Sequence, residues 1–313
     1  MIGAKGAATR LPAQDLVALR SQLEQGRRSA LRLMVAGPAL SAVAGCSVGA
    51  LLDALTPGGG SRRILDEAYG DDPRQRLDVF LPASAGRWPV VMFFFGGSWN
   101  GGSRETYRFV GEALAARGCL VVIPDYRVYP QVRYPAFLED CAAATGWTMR
   151  NLERFGGDPS RLILSGHSAG AYNAAMLALD PRWLDAPGAQ GPSSRPRPAA
   201  WIGLAGPYDF LPIGNPDVKP VFFHPDYPPG TQPVDYARAG SPPCFLAAAD
   251  ADSVVDPDRN TGHLAAKLRA NGVEVEEHRY AGVGHTTLLG ALAGPLRWKA
   301  PVYQDVVSFI ERH

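Results

Sequence analysis

Charge of one sign is what this chain most clearly lacks: 31 lysines and arginines face 30 aspartates and glutamates among 313 residues. With so small a surplus there is no electrostatic footprint for nucleic acid or an acidic polymer. Cysteine is scarce as well. The four cysteines, Cys46, Cys119, Cys141 and Cys244, have no framework spacing, so no disulfide scaffold is expected. The six histidines show no paired ligand spacing and no Cys/His cluster, so no metal is implied. No repeat is visible, and the longest apolar run near the N-terminus is too short to span a bilayer comfortably. What remains is a chain that is 46% hydrophobic with 35 glycines and 28 prolines, enough for one large α/β domain with long connections.

From Arg62 onward the pattern alternates. Ile64 to Tyr69 and Arg76 to Leu81 read as a hairpin around the turn formers Gly70-Asp71-Asp72-Pro73. Val90 to Phe95, Cys119 to Pro124, Arg161 to Ser165, Ala199 to Leu204, Cys244 to Ala249 and Val273 to Tyr280 read as further strands. Amphipathic segments at Arg104 to Arg117, Pro135 to Phe155, Ser168 to about Leu179, Pro257 to Ala270 and Pro301 to Arg312 read as helices. Buried strands separated by single helices predict a mostly parallel central sheet with helices on both faces and an N-terminal antiparallel hairpin. Residues 62–313 are therefore expected to form a single α/β domain, with an aromatic, proline-rich cover insertion around 211–241.

The sharpest feature is Gly166-His167-Ser168-Ala169-Gly170, which follows the apolar run Leu162-Ile163-Leu164 and opens a helix. A strained strand-to-helix turn needs small residues at both ends, and it holds the serine proud of the sheet with a helix N-terminus behind it. Ser168 is thus the candidate nucleophile. A serine hydroxyl needs a base. His285 lies just after the last strand, at the sheet edge where Ser168 sits, whereas His263 and His278 fall inside a helix and a strand. His167 points along the elbow, His224 lies in the cover and His313 ends the chain, so His285 is the candidate base. For the acid that orients the base, Asp250, Asp252 and Asp256 compete after the strand Cys244 to Ala249. Asp252 is favoured, Asp250 is the alternative, and Asp256 suits a helix cap before Pro257.

Together these residues resemble the α/β-hydrolase superfamily, and within it the hormone-sensitive-lipase-like esterases and the neighbouring feruloyl/acetyl-xylan esterases and arylformamidases. The likeness also rests on Pro124-Asp125-Tyr126-Arg127, Tyr134-Pro135, Glu139-Asp140, Gly203 to Asp209 and Pro242-Pro243. The family's acid turn is Gly-x-x-Asp-x-x-Val; here Ala249 replaces the glycine while Asp252 and Val255 match, which is why Asp252 is preferred over Asp250. The family's His-Gly-Gly-x-Trp loop corresponds to Phe95-Gly96-Gly97-Ser98-Trp99, so the resemblance implies an oxyanion hole from the N–H groups of Gly97, Ser98 and Ala169. Phe95 in place of histidine implies that an aromatic ring braces this loop. Trp99, Phe222, Phe223 and Tyr227 suggest an apolar or aromatic substrate site, while aromatics in a proline-rich cover are equally well explained as the cover's own small core. The resemblance implies a cofactor-free serine hydrolase acting on small carboxylic esters. An arylformamidase is the nearest alternative, and a non-catalytic binding protein on the same scaffold is the other.

The N-terminus reads differently. Arg27-Arg28 and Arg32 precede the apolar run Leu33 to Ala44 and then Val43-Ala44-Gly45-Cys46, the order of an export signal. The ending resembles the lipobox of bacterial lipoproteins, and Arg27-Arg28-Ser29-Ala30-Leu31 loosely resembles a twin-arginine motif. Residues 1–45 are expected to be a lipoprotein-type signal peptide, with the true start downstream of Met1; Cys46 is the expected lipidation site and residues 46–61 a tether. That resemblance implies an exported protein, lipid-anchored to a bacterial membrane and facing the periplasm or the cell exterior.

Overall fold

Alternation of side chains along the central strands divides the apolar residues between two layers. Val90, Met92 and Phe94 join one layer with Leu162 and Leu164, whereas Val91, Phe93 and Ile163 join the other. Both faces are covered, so these strands read as unbroken apolar runs. The computed structural model describes residues 61–189 and 196–313. The expected signal peptide over residues 1–45, Cys46 and the tether up to residue 60 lie outside the described residues.

Among the described residues eight strands form one sheet: β1 (Arg62–Ala68), β2 (Arg76–Leu81), β3 (Trp88–Phe94), β4 (Leu120–Pro124), β5 (Gly157–His167), β6 (Ala200–Leu204), β7 (Cys244–Ala249) and β8 (Val275–Tyr280). Their order is β1-β2-β4-β3-β5-β6-β7-β8. β1 pairs antiparallel with β2, and β2 antiparallel with β4; every later pairing is parallel. The expected hairpin and mostly parallel sheet are thus both present. Strand order reverses between β3 and β5, the switch point where open α/β sheets leave a crevice at their carboxyl ends.

Six helices of more than one turn matter here: α1 (Arg108–Ala115), α2 (Ala136–Arg150), α3 (Ala169–Leu179), α4 (His263–Ala270), α5 (His285–Gly290) and α6 (Val302–Arg312). Residues of α2, α3 and α4 belong to the first apolar layer, those of α1, α5 and α6 to the second. In α6 the buried residues Val302, Val306, Phe309 and Ile310 recur at three- and four-residue spacing, and each such side chain contributes roughly 1.5–3 kcal/mol on burial.

Four elements depart from the expected ones, the first being the helix expected from Arg104, whose opening turn Arg104–Tyr107 is 3₁₀-wound before α1 begins. The helix expected from Pro135 to Phe155 breaks at Asn151, whose amide donates to the Trp147 carbonyl at 2.8 Å and caps it. The helix expected from Pro257 opens with a π-wound turn at Asp258–Gly262 before α4 begins. His285, expected in a loop, starts the six-residue α5.

The cover around 211–241 carries one-turn helices at Lys219–Phe222 and Pro233–Tyr236. It is fastened by side chains reaching its backbone: Tyr172 Oη donates to the Thr231 carbonyl at 2.7 Å, and Gln232 Oε1 accepts from the N–H groups of Phe210 and Leu211.

Candidate active site

β5 ends at His167 and α3 begins at Ala169, so Ser168 alone makes the turn between them. It does so at φ 55 and ψ −122, a left-handed conformation that a non-glycine residue holds only where its surroundings impose it. The neighbours explain why glycines flank it. A Cβ on Gly166 would lie 2.2 Å from the Gly170 carbonyl oxygen, and one on Gly170 would lie 1.9 Å from that of Phe94. Strand, helix and the end of β3 meet backbone to backbone, and Ser168 N–H is fixed to the Leu204 carbonyl at 2.9 Å.

Three carboxyl-edge loops then converge. Ser168 Oγ lies 2.9 Å from His285 Nε2, and His285 Nδ1 lies 2.8 Å from Asp252 Oδ2. The Asp252 side chain is only 1% exposed. Its other oxygen, Oδ1, accepts from the N–H groups of Val254 and Val255 at 2.8 and 2.9 Å. Burial by itself would raise the Asp252 carboxyl; hydrogen bonding and charge from His285, with the two N–H groups, outweigh it and hold the group below the usual carboxylate range. Asp250 is exposed, with its N–H on the Tyr280 carbonyl. Asp256 Oδ1 accepts from the N–H groups of Asp258 and Arg259, a cap on the π-wound turn. Of the three competing carboxylates, Asp252 is the one the fold brings to His285.

The loop after β3 runs through left-handed backbone at Gly97, Ser98 and Trp99, with φ of 137, 53 and 56. The N–H groups of Asn100 and Gly101 both donate to the Gly97 carbonyl at 3.1 Å, closing the turn. A Cβ on Gly97 would sit 2.5 Å from the Gly101 oxygen, so only glycine fits. No described residue accepts a hydrogen bond from the N–H of Gly97 or Ser98. Phe95 is fully buried and stacked on Tyr126, ring centroids 4.4 Å apart, and Tyr126 Oη donates to the Phe95 carbonyl at 2.7 Å. Gly96 N–H donates to Tyr107 Oη, whose ionisation burial pushes up to about 12, so it stays a neutral phenol. An aromatic ring and two tyrosine hydroxyls therefore brace the loop. The Pro124-Asp125-Tyr126-Arg127 stretch supplies one of them, a purpose its sequence alone did not disclose.

A cleft of about 360 Å³ opens beside Ser168. Ser98, Trp99 and Ala169 line it on the side of Ser168, and Phe210, Ile213 and Val218 from the start of the cover form an apolar wall. Arg259 and Asn260 of the π-wound turn lie at the same cleft. Phe222 and Phe223, expected at the substrate, do not line it. Phe222 is completely buried with its ring edge-on to Trp99 at 4.8 Å, packed with Phe137 and Tyr172 in the first apolar layer. Phe223 turns outward, stacked on the Arg133 guanidinium at 5.2 Å. The cleft wall they were expected to form comes instead from 210–218, residues with weaker individual signals.

His167, expected to point along the elbow, is buried and its Nε2 lies 3.0 Å from the His285 carbonyl oxygen. Among the described residues no group of three metal-binding side chains is assembled, and no helix is long and apolar enough to cross a membrane.

The model of the BD-FAE family matches residues 77–268, which hold Ser168 and Asp252 but stop short of His285. Among curated proteins, the chain is 32% identical over 261 residues to "Isoprenylcysteine alpha-carbonyl methylesterase ICME" of Arabidopsis thaliana, covering 77% of this chain and 60% of that protein. It thus spans about three fifths of that relative's length. It is also 32% identical over 233 residues to "Carboxylesterase NlhH" of Mycobacterium tuberculosis, covering 68% of this chain and 72% of that one. Among solved structures, a truncated carbohydrate esterase from gut microbiota superposes with a TM-score of 0.67 at 19% identity, over 82% of this chain and 97% of the other. A family match across the sheet's central strands, on an eight-stranded sheet of this order, makes the chain a member of the BD-FAE family of α/β-hydrolases.

Proposed function

We propose that the protein is a serine hydrolase that cleaves small carboxylic esters through an acyl-enzyme. One observation carries the reading: Ser168 Oγ, His285 and Asp252 form a continuous hydrogen-bonded relay, with contacts of 2.9 and 2.8 Å, and Ser168 lines a cleft with an apolar wall. Ser168 Oγ attacks the acyl carbon and its proton passes to His285 Nε2. The imidazolium, stabilised by ionised Asp252, then protonates the departing alkoxide. Water attacks the acyl-enzyme, its proton goes to His285, and Ser168 leaves as the hydroxyl while the carboxylic acid departs. The N–H groups of Gly97, Ser98 and Ala169 hold the oxyanion in both tetrahedral states, each donor worth about 3 kcal/mol.

The relay argues against a binding protein that has lost its chemistry. The methylesterase and carboxylesterase names of the relatives favour esters over N-formyl arylamides as substrates. The apolar wall of Phe210, Ile213 and Val218 suits a short aliphatic or aryl group. The expected result with a fluorophosphonate probe is stoichiometric covalent labelling, mapped by peptide mass to Ser168. Absence of labelling in folded protein sinks the reading.

We also propose that the mature protein is exported and lipid-anchored through Cys46. The first described residue, Ser61, precedes β1, whose Arg62 pairs with Leu81 of β2; neighbouring Phe80 pairs with Val121 near the start of β4. The described chain therefore begins at the amino end of the parallel strands, opposite Ser168. Cys46→Ser is expected to move the protein from the membrane to the soluble fraction, and recovery of that variant in membranes would overturn the anchor.

A further inference from the structure

The Gly-x-Ser-x-Gly turn itself requires only its two glycines and its serine, so the x side chain is not needed to make the turn. Here it is His167, and its ring is buried among the working loops. The side chain is at a residue only 4% exposed. Its Nε2 lies 3.0 Å from the backbone carbonyl of His285, across 118 residues of sequence. A carbonyl only accepts, so Nε2 carries the proton and donates, which fixes the tautomer. The ring centroid is 4.8 Å from that of His285. On its other side, a Cβ added to Gly96 would meet His167 Nδ1 at 3.1 Å and Ser168 Cβ at 3.0 Å, so the ring edge lies against the loop that leads to Gly97. One imidazole therefore touches the nucleophile elbow, the start of the oxyanion loop and the backbone of the base.

The ring's remaining nitrogen makes the case sharper. Nδ1 is buried and has no hydrogen-bond partner. Burying a polar group without a partner is unfavourable, and an apolar side chain of similar size would avoid the penalty. What an apolar side chain would lose is the donor to the His285 carbonyl. His285 begins a helix of only six residues after two glycines, Gly282 and Gly284, so its own element gives it little rigidity.

We propose that His167 is a positioning residue, a neutral tether that fixes the backbone of His285 relative to Ser168. The inference rests on the serine-hydrolase reading above. During turnover His285 becomes cationic, and a second cation with its ring centred 4.8 Å away would oppose that step. Burial, reinforced by the nearby His285 charge, pushes the His167 imidazole down to about 3, so the tether stays uncharged while its neighbour gains and loses a proton. A displacement of the base by a fraction of an ångström lowers turnover without changing how the ground-state substrate is held.

The test compares His167→Phe, which keeps a ring and loses the donor, with His167→Gln, whose amide nitrogen reaches the position of Nε2. Both are assayed with p-nitrophenyl acetate and melted to confirm folding. His167→Phe is expected to lower kcat about 10- to 100-fold with KM within about 2-fold, and His167→Gln to recover most of the loss. A folded His167→Phe with parental kcat overturns the inference, and so does an equal loss in both folded variants. If the phenylalanine variant does not fold, His167→Asn replaces it, since its amide is too short to reach the carbonyl. Equal kcat in the Asn and Gln variants is then the overturning result. Ser168→Ala is run alongside. A parental rate there removes the serine-hydrolase reading itself, whereas an inactive Ser168→Ala beside a fully active His167→Phe removes the tether alone.

Discussion

Ser168→Ala is expected to lower kcat for p-nitrophenyl acetate by roughly 10⁵- to 10⁶-fold while leaving the folded state intact. Removing Oγ removes the only hydroxyl that contacts His285 Nε2 among the described residues, so no acyl-enzyme forms. Ser98 also lines the cleft, but no hydrogen bond joins it to a histidine, so it offers no second nucleophile. The rate that survives is what positioning beside the Gly97, Ser98 and Ala169 N–H groups gives an attacking water, about 10³-fold over solution. Stability should change little. Alanine and serine face the same penalty at φ 55, and the Ser168 N–H bond to the Leu204 carbonyl is a backbone contact that the substitution keeps. Steady-state kinetics and a melting curve on the same preparation check both halves. A variant that melts normally and retains more than about 1% of parental kcat would mean that another group carries the reaction.

What the sequence disclosed and what it withheld separate along one physical line. Features fixed by local chain geometry were legible. The elbow needs glycines at two positions because three backbones touch there, and that need is written as Gly166 and Gly170 around Ser168. Central strands such as Val90 to Phe94 were legible because two-sided burial removes polar residues from the run. Features decided by packing between distant segments were not. Phe222 and Phe223 are adjacent and chemically alike, yet one is wholly buried against Trp99 and the other stacks on Arg133 at the surface; only the fold of the cover separates them. The contact of His167 with the His285 carbonyl spans 118 residues, and nothing in Gly-His-Ser-Ala-Gly announces it. The brace on the loop after β3 lies between these cases. Phe95 implied an aromatic prop, but its partner Tyr126 emerged only when β3 and β4 were placed side by side. The π-wound turn at Asp258–Gly262 gave no signal, since the Pro257 to Ala270 pattern is equally that of an ordinary helix.

Asp252→Asn is expected to lower kcat by about 10⁴-fold, whereas Asp250→Asn stays within about 2-fold of the parent. The size of the first effect follows from how Asp252 is held. Its Oδ1 accepts from two backbone N–H groups, Val254 and Val255, at 2.8 and 2.9 Å. In the asparagine variant those two donors select the amide oxygen for that position, because an NH2 group there would face two N–H groups. The amide nitrogen is thereby aimed at His285 Nδ1, where the carboxylate oxygen lay 2.8 Å away. A donor at that place forces Nδ1 to accept and moves the ring proton to Nε2. Nε2 then donates to Ser168 Oγ where it must accept, so the base is disabled while every atom stays near its place. The carboxylate is also held below its usual range in the parent, so it is ionised from neutral to mildly acidic pH, and its replacement removes a charge that stabilises the imidazolium. Asp250, exposed at the end of β7, touches His285 with neither oxygen, so its substitution changes neither tautomer nor charge at the base. Measured kcat for the two variants, with KM to show that substrate still enters, distinguishes the residues directly. Equal losses at both positions, or a larger loss at Asp250, would overturn the assignment of the acid while leaving Ser168 and His285 as the reacting pair.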